Sequence, residues 1–500
     1  VAPAGGSCAV ALLVTGAYAE CEGFVLTDGD YHLHLLQVGI DDIAITQLRR
    51  PEVYQDDIAI QRREFHLVTI HIATIQLGIG SQLYLLLQRD TRSQTCNIVA
   101  QREQEWRTWI LDRHGIQHRT IVDKVTLDIC QMLIARQSLI EGIECRQRGF
   151  MLDEGRHFYG KDEVKKIIDA MARYKMNRFH WHLTEDQGWR IEIKKYPKLT
   201  DVGAWRESRV LAYGEVKPDG KRYGGFYTQE DIKEVVAYAK ERFIEIIPEI
   251  DIPGHSQAAV ASYPEFLACD PEKKHEVWLW QGISTDVINV ANPKAVEFAK
   301  DVIDELTELF PFGYIHLGGD ECPVNKWQKN KECQDLLHKI GSENYRDLQI
   351  HFYKQLKDHI AQKPADKQRK LIFWNEVLHG NTKPLGEDIT IMAWIGADQA
   401  ALSAAKRGMN TILTPQIPYY INRRQSKLET EPRSQGWGTE TVEAVYNYIP
   451  MKGAEPTELQ NRYMGVQANF WTEWVEEASI VQYLMFVMDS NLCTVVFCTI

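Results

Sequence analysis

From about residue 146 onward, short continuous apolar runs alternate with stretches in which apolar residues recur every three or four positions. Phe150-Met151-Leu152 is the first run. It precedes Asp162 to Tyr174, where Val164, Ile167, Ile168 and Met171 have helical spacing. Phe179-His180-Trp181-His182-Leu183 predicts the next strand. Thr228 predicts the N-cap of a helix from Gln229 to Arg242, with Asp231 in its first turn. Phe243 to Ile247 predicts a strand that ends at Pro248-Glu249. Asn292-Pro293 opens a helix to Leu309, with Pro at the first helical position. A strand at Tyr314 to Leu317 and a helix over about Glu343 to Ile360 follow. Leu371 to Trp374 and Ile389 to Trp394 predict strands, Ala397 to Lys406 a helix, and Thr411 to Leu413 and Gly465 to Phe470 two further strands. Ile480 to Met488 reads as a closing helix.

Eight strands, mostly separated by helices, imply the α/β class. Their near-continuous apolar character suits strands buried on both faces, as in a parallel sheet. Eight such units in some 350 residues predict a (β/α)8 TIM barrel. A doubly wound open sheet is the alternative, but no Gly-x-Gly-x-x-Gly turn opens any unit. Polar or aromatic side chains stand just past each strand. They are Asp153 and Arg156; Glu185 and Asp186; Glu249, Asp251 and His255; Asp320 and Glu321; Trp374 and Glu376; Trp394; Tyr420 and Asn422; Trp471 and Glu473. A barrel gathers those ends on its catalytic face.

Residues 1–145 are less legible. Phe65 to Ile70 and Leu83 to Leu87 are β-rich, and the expectation is a small α/β domain over 1–145 with the barrel over 146–500. Ala9 to Val14, followed by Ala17-Tyr18-Ala19, faintly resembles a signal-peptide core and cleavage site, without a basic leader. With 44% hydrophobic and 25% charged residues the chain has ordinary globular composition. Its net charge of -12 argues against nucleic acid or an anionic membrane surface as the main partner, and leaves neutral substrates open. No apolar run approaches the roughly 20 residues that span a bilayer. The ten cysteines include no Cys-x-x-Cys pair, which disfavours a zinc or redox motif.

His316-Leu317-Gly318-Gly319-Asp320-Glu321 is the most pointed stretch. A buried strand ends in two glycines and then two adjacent carboxylates. The glycines allow a sharp turn or a close approach to a ligand. Adjacent carboxylates tend to split their pKa values, which lets one site hold a proton donor and an anion together.

At this point the sequence resembles the β-N-acetylhexosaminidases of glycoside hydrolase family 20, over about 148–475. The motifs are Arg148-Gly149-Phe150-Met151-Leu152-Asp153 with Arg156-His157-Phe158, His180-Trp181-His182-Leu183, Gln187-Gly188-Trp189-Arg190, Gly224-Gly225-Phe226-Tyr227-Thr228, Pro248 to His255, the Gly-Gly-Asp-Glu stretch, and Trp471-Thr472-Glu473. The ends depart from the pattern. Glu144-Cys145-Arg146-Gln147 replaces the usual lead into Arg148, and residues beyond about 478 lose the expected final helix pattern.

The resemblance implies a barrel preceded by a small α/β domain, and exo-acting hydrolysis with retention, in which the substrate's acetamido oxygen forms an oxazolinium ion. It implies that Glu321 is the general acid/base and that Asp320 holds the acetamido nitrogen. Because successive extended residues point to opposite sides, the two cannot flank the scissile bond as a conventional pair. Tyr420 matches the tyrosine on the acetamido oxygen and Arg156 the arginine that grips ring hydroxyls. Trp374, Trp394 and Trp471 match the aromatic box, while Asn422 and Glu473 match positions for the remaining hydroxyls. His255 with Glu185 resembles a buried His–acid pair behind the general acid. The family more often has Asp at position 185, and Asp186 is close enough to substitute. Asp153 reads as structural.

The implied partner is a glycan or chitooligosaccharide. No cofactor, metal or nucleic acid is expected, and a secreted or periplasmic location follows from the substrate type. Two other readings stand. A metal-dependent hydrolase would use His180 and His182 with His255 and Asp320. A carbohydrate-binding protein without catalysis would keep the tryptophans and Arg156. Gluco or galacto preference, single-sugar or disaccharide release, and oligomeric state stay open. Aglycone preference is expected to depend on the loops Glu207 to Arg222 and Cys269 to Asn289.

Overall fold

The computed structural model describes residues 146–485, apart from 428–430, 433, 442–443, 446–447, 449–458 and 460, with the backbone alone of 435–437, 9–14, 17–22, 72–77 and 81–88. The chain divides into two compact units, Val1–Lys124 and Val125–Ile500. In the first unit, Ala9–Val14, Ala17–Glu22, Ile72–Leu77 and Ser81–Gln88 form an antiparallel four-stranded sheet. The stretch with a faint likeness to a signal-peptide core is thus a strand. The β-rich run at 65–70, any helices of this unit and the expected boundary near 145 lie outside the described residues.

In the second unit, the eight strands expected from the apolar runs close a parallel barrel in chain order. They are β1 (Gln147–Asp153), β2 (Arg178–His182), β3 (Glu245–Glu249), β4 (Tyr314–His316), β5 (Lys370–Trp374), β6 (Thr390–Ala393), β7 (Asn410–Leu413) and β8 (Tyr463–Phe470). Alternation sorts their side chains. Phe150, Leu152, Phe179, Trp181, Ile246, Ile315, Phe373, Ile391 and Leu413 face outward into one core under the helices. Met151, Ile247, Ile372, Trp374, Met392 and Ile412 face inward into another. Both faces are buried, which is why the strands read as unbroken apolar runs.

The main helices are α1 (Lys161–Arg173), α2 (Gln229–Lys240), α3 (Pro293–Leu309), α4 (Arg346–Ala361) and α5 (Ala397–Lys406). In α1 the predicted stripe of Val164, Ile167, Ile168 and Met171 is buried. Thr228 caps α2 in a reciprocal box with Asp231. Asn292 caps α3 ahead of Pro293. Residues 478–485 are helical, in line with the first part of the expected closing helix, and 486–488 lie outside the described residues.

Candidate active site

Strand register sets the floor of the site. Glu249 at the end of β3 lies opposite His182 of β2 and His316 of β4. All three are fully buried inward side chains. His180 Nε2 and His316 Nδ1 each lie 2.9 Å from the Glu249 carboxylate, His182 Nδ1 contacts it too, and Trp374 Nε1 donates to it at 2.7 Å. Burial alone would raise Glu249, but His182, His316 and His180 outweigh it and hold this carboxyl well below the usual range. Burial pushes His180 down to about 4. His182 also touches Glu185, with Nε2 3.2 Å from Oε1. Against the opposing pull of burial, Glu249 and Glu185 raise His182 to about 10.

Glu185 is the junction of the site. Arg156 Nη2 lies 2.7 Å from its Oε1, and His255 Nδ1 lies 3.0 Å from its Oε2. Burial would raise Glu185, yet Arg156 and His255 together bring it below its ordinary value. Asp186 is 3.4 Å from the same Nδ1, but it accepts backbone N–H bonds from Gln257 and Ser284. Glu185 is therefore the nearer partner of His255, and Asp186 holds the surrounding loop.

His255 Nε2 faces both carboxylates of the Gly-Gly-Asp-Glu turn, at 3.7 Å from Asp320 Oδ2 and 3.6 Å from Glu321 Oε2. This corrects the expectation that neighbouring residues here diverge. The segment is not extended. Gly318, Gly319 and Glu321 have φ of 67°, 105° and 43°, and His255 itself has φ 45°. Left-handed backbone at two non-glycine residues is stored strain, held by the surroundings. Those surroundings are visible. The Gly319 N–H donates to Asp251 Oδ1 at 3.1 Å, and Gln349 of α4 donates to the Gly319 carbonyl at 3.0 Å.

The two carboxylates differ in environment. Asp320 is buried and Glu321 exposed. Burial, with Glu321 beside it, raises Asp320 against the opposing pull of His255. Burial and Asp320 raise Asp251 well above its usual value. Despite burial, Glu185 and Asp320 raise His255 well above the ordinary imidazole value.

Trp394, Tyr420 and Trp471 keep slight exposure and pack together near these carboxylates, while Trp374 is fully buried beside Trp471. Trp394 stacks on Tyr420 with ring centroids 5.9 Å apart and planes 9° from parallel. Trp471 is 6.0 Å from Tyr420 and 5.9 Å from Trp374. Arg156 lies over Trp471 at 5.1 Å. Arg156 Nε, Asn422 Oδ1, Glu473 Oε2 and Asp320 Oδ1 are buried polar atoms with no hydrogen-bond partner, the sort of orphan that a polar ligand satisfies. Asp153 accepts from the N–H groups of Arg156 and Thr472, both at 3.1 Å, and ties the ends of β1 and β8 together.

All eleven sequence-selected residues thus lie at the strand ends of one barrel face. The metal-binding set divides: His180 lies with Glu249 and His316, and His255 with Asp251 and Asp320. Sequence reasoning passed over Glu376 as a site residue, although it stands just past β5. Trp394 Nε1 donates to it at 2.9 Å, and burial, with Asp320 nearby, pushes its carboxyl up to about 8. It also missed the Glu249 cluster. The signal was His180-x-His182, two polar residues at inward positions of a buried strand.

The model of the glycosyl hydrolase family 20 catalytic domain matches residues 146–488. A beta-hexosaminidase of Porphyromonas gingivalis is 42% identical over 338 residues, 67% of this chain and 41% of that protein. A beta-hexosaminidase of Vibrio furnissii is 36% identical over 368 residues, 73% of this chain and 59% of that protein. The crystal structure of a family 20 exo-β-N-acetylglucosaminidase from Vibrio harveyi, in complex with N-acetylglucosamine, matches with a TM-score of 0.63. Identity there is 36%, over 71% of this chain and 54% of the other. The chain spans about half the length of the curated relatives it matches.

Proposed function

The chain belongs to glycosyl hydrolase family 20, and from that membership we propose that it is an exo-acting, retaining β-N-acetylhexosaminidase. It removes terminal N-acetylglucosamine or N-acetylgalactosamine from glycans, with the substrate's own acetamido group as nucleophile. The observation that carries this reading is the convergence of a buried Asp320 and an exposed Glu321 on one imidazole, that of His255. The two carboxylates sit side by side on one imidazole, which suits a substrate-assisted division of labour in which one donates the proton and the other steadies the acetamido group.

Glu321 gives its proton to the glycosidic oxygen as the bond breaks and later takes one from water. The acetamido oxygen closes on the anomeric carbon, forming an oxazolinium ion that water opens with net retention. Asp320 accepts from the acetamido N–H and stabilises the positive charge that develops on the ring. That role needs an anion. Burial raises both Asp320 and Asp251, and the His255 imidazole, despite its own burial raised by Glu185 and Asp320, faces Asp320 and opposes that rise. Tyr420 positions the acetamido oxygen, and Trp374, Trp394 and Trp471 enclose the methyl group and sugar face. Arg156, Asn422 and Glu473 take the ring hydroxyls, consistent with their orphaned buried atoms. Glu185 holds Arg156 and His255 in one geometry.

Hydrolysis of aryl β-N-acetylglucosaminide and β-N-acetylgalactosaminide by the native chain and by Glu321→Gln tests the reading. Native turnover with a fall in kcat of about 100-fold or more in the variant is expected. Equal turnover by both proteins would remove Glu321 from the mechanism. No native turnover on either sugar would remove the activity itself.

A further inference from the structure

Helix α4 buries an apolar stripe that includes Leu348, Phe352, Leu356 and Ile360. Gln349 and Tyr353 stand among these residues and are as deeply buried, at 2% and 0% exposure. Four positions apart on one helix, they are neighbours on one face, and Gln349 Nε2 donates to Tyr353 Oη at 3.0 Å. The same amide group donates to the Gly319 carbonyl at 3.0 Å, while the Tyr353 hydroxyl donates to the Ile252 carbonyl at 2.6 Å.

The pair therefore grips two chain segments at once. One follows β3 and carries Asp251 and His255. The other follows β4 and carries Asp320 and Glu321. The two segments also bond directly, from the Ile252 N–H to the Leu317 carbonyl at 3.3 Å and from the Gly319 N–H to Asp251 Oδ1 at 3.1 Å. The Gly319 carbonyl lies in the planar peptide unit that opens into Asp320. Its hydrogen bond to Gln349 thus sets the direction in which the next two residues leave the turn. A Cβ on Gly319 would stand 2.8 Å from Tyr353 Oη, at a φ of 105°, so glycine lets the helix come this close. The Tyr353 ring is pinned in turn against Phe373 of β5, with centroids 4.5 Å apart. Burial, against the opposing pull of the Gln349 hydrogen bond, raises the Tyr353 hydroxyl well above its usual value, so it stays a donor at neutral pH. A buried polar pair costs desolvation that an apolar pair avoids. What it adds is direction, since a satisfied hydrogen-bond network specifies one geometry.

We propose that Gln349 and Tyr353 are positioning residues for the acid step, which act through the Gly319 and Ile252 carbonyls to set Asp320 and Glu321 against His255. The proposal rests on the hexosaminidase reading, in which Glu321 must meet the glycosidic oxygen. A shift of about 1 Å in a reacting group can cost on the order of 100-fold in rate.

The test compares native enzyme, Gln349→Leu, Tyr353→Phe and the double variant on phenyl and 4-nitrophenyl β-N-acetylglucosaminide. Leu356→Val, at a buried position of the same helix outside the pair, is the control for lost packing. Each single variant is expected to lower kcat on the 4-nitrophenyl glycoside about tenfold, with KM within about twofold of native. On the phenyl glycoside the fall is expected to be about threefold larger, because the poorer leaving group depends more on the proton from Glu321. The double variant is expected within about twofold of the worse single one, since the two side chains act as one clamp. Leu356→Val is expected to lower Tm and leave kcat within about twofold. Native kcat in both single variants, an equal fall on both glycosides, or the same kinetic pattern in Leu356→Val overturns the proposal. Should the native chain split neither glycoside, the activity reading fails separately. Crystal structures of native protein and Gln349→Leu then decide the clamp. A turn displaced so that Glu321 leaves His255 supports it, and an unmoved turn overturns it.

Discussion

A single side chain can carry a pH dependence, and Glu376 is the clearest case. Burial and the neighbouring Asp320 keep its carboxyl neutral up to about pH 8, and its Oε2 accepts the Trp394 indole N–H. Above that value a new negative charge appears beside Asp320 and Glu321, and opposes the anion that the proposed mechanism needs. Glu376→Gln keeps an acceptor for Trp394 and removes the titration. Its activity at pH 7 is expected within about threefold of native, with the alkaline decline between pH 8 and 9 flattened. A pH–rate profile of kcat decides, and an unchanged alkaline limb would remove Glu376 from the site's titration. The same scale shows the limit of sequence reading. Asp320 and Glu321 stood out by type and adjacency, but nothing in their order revealed which would be buried.

Among elements, the strands were the most legible. Each of the eight runs expected as strands beyond residue 146 became a barrel strand, because a strand covered on both faces admits few polar residues. The turn after β4 was legible only as glycine-rich. Its conformation depends on Asp251, which arrives from the β3 side. A Cβ on Gly318 would stand 1.8 Å from Asp251 Oδ1 and 2.8 Å from its Cα, at a φ of 67°. That clash involves backbone, so it cannot be relieved by a rotamer change. Gly318→Ala is expected to lower kcat at least about 100-fold by displacing Asp320 and Glu321, even where circular dichroism shows a folded barrel. Near-native kcat in that variant would show that the turn tolerates displacement. The loops 207–222 and 269–289 had no periodic pattern to read, since their order comes from pairing with each other and with the strand ends.

For the whole molecule, the buried charges set a stability profile. Folding raises His182 to about 10, Glu376 to about 8 and Glu154 to about 7. Each binds its proton more tightly in the folded state. The stabilisation is complete below the unfolded value, near 6.5 for the imidazole and 4.5 for the carboxyls. It is lost as pH rises through the folded value, so all three act in one direction between pH 6.5 and 8.5. Urea unfolding is expected to show lower stability at pH 8.5 than at pH 6.5, by on the order of 2 kcal/mol. A flat or rising profile would mean that none of the three groups holds its proton as described. By itself the sequence determined the eight strands, the main helices, the catalytic face and the residue types that meet there, because burial periodicity and strand-end position are local properties. The tertiary structure decided the rest. It gathered His180, His182 and His316 around Glu249, chose Glu185 over Asp186 as the nearer partner of His255, and bent the turn so that Asp320 and Glu321 face one imidazole. Those outcomes depend on register between strands and on contacts between residues about 70 positions apart in the chain, which no local pattern encodes.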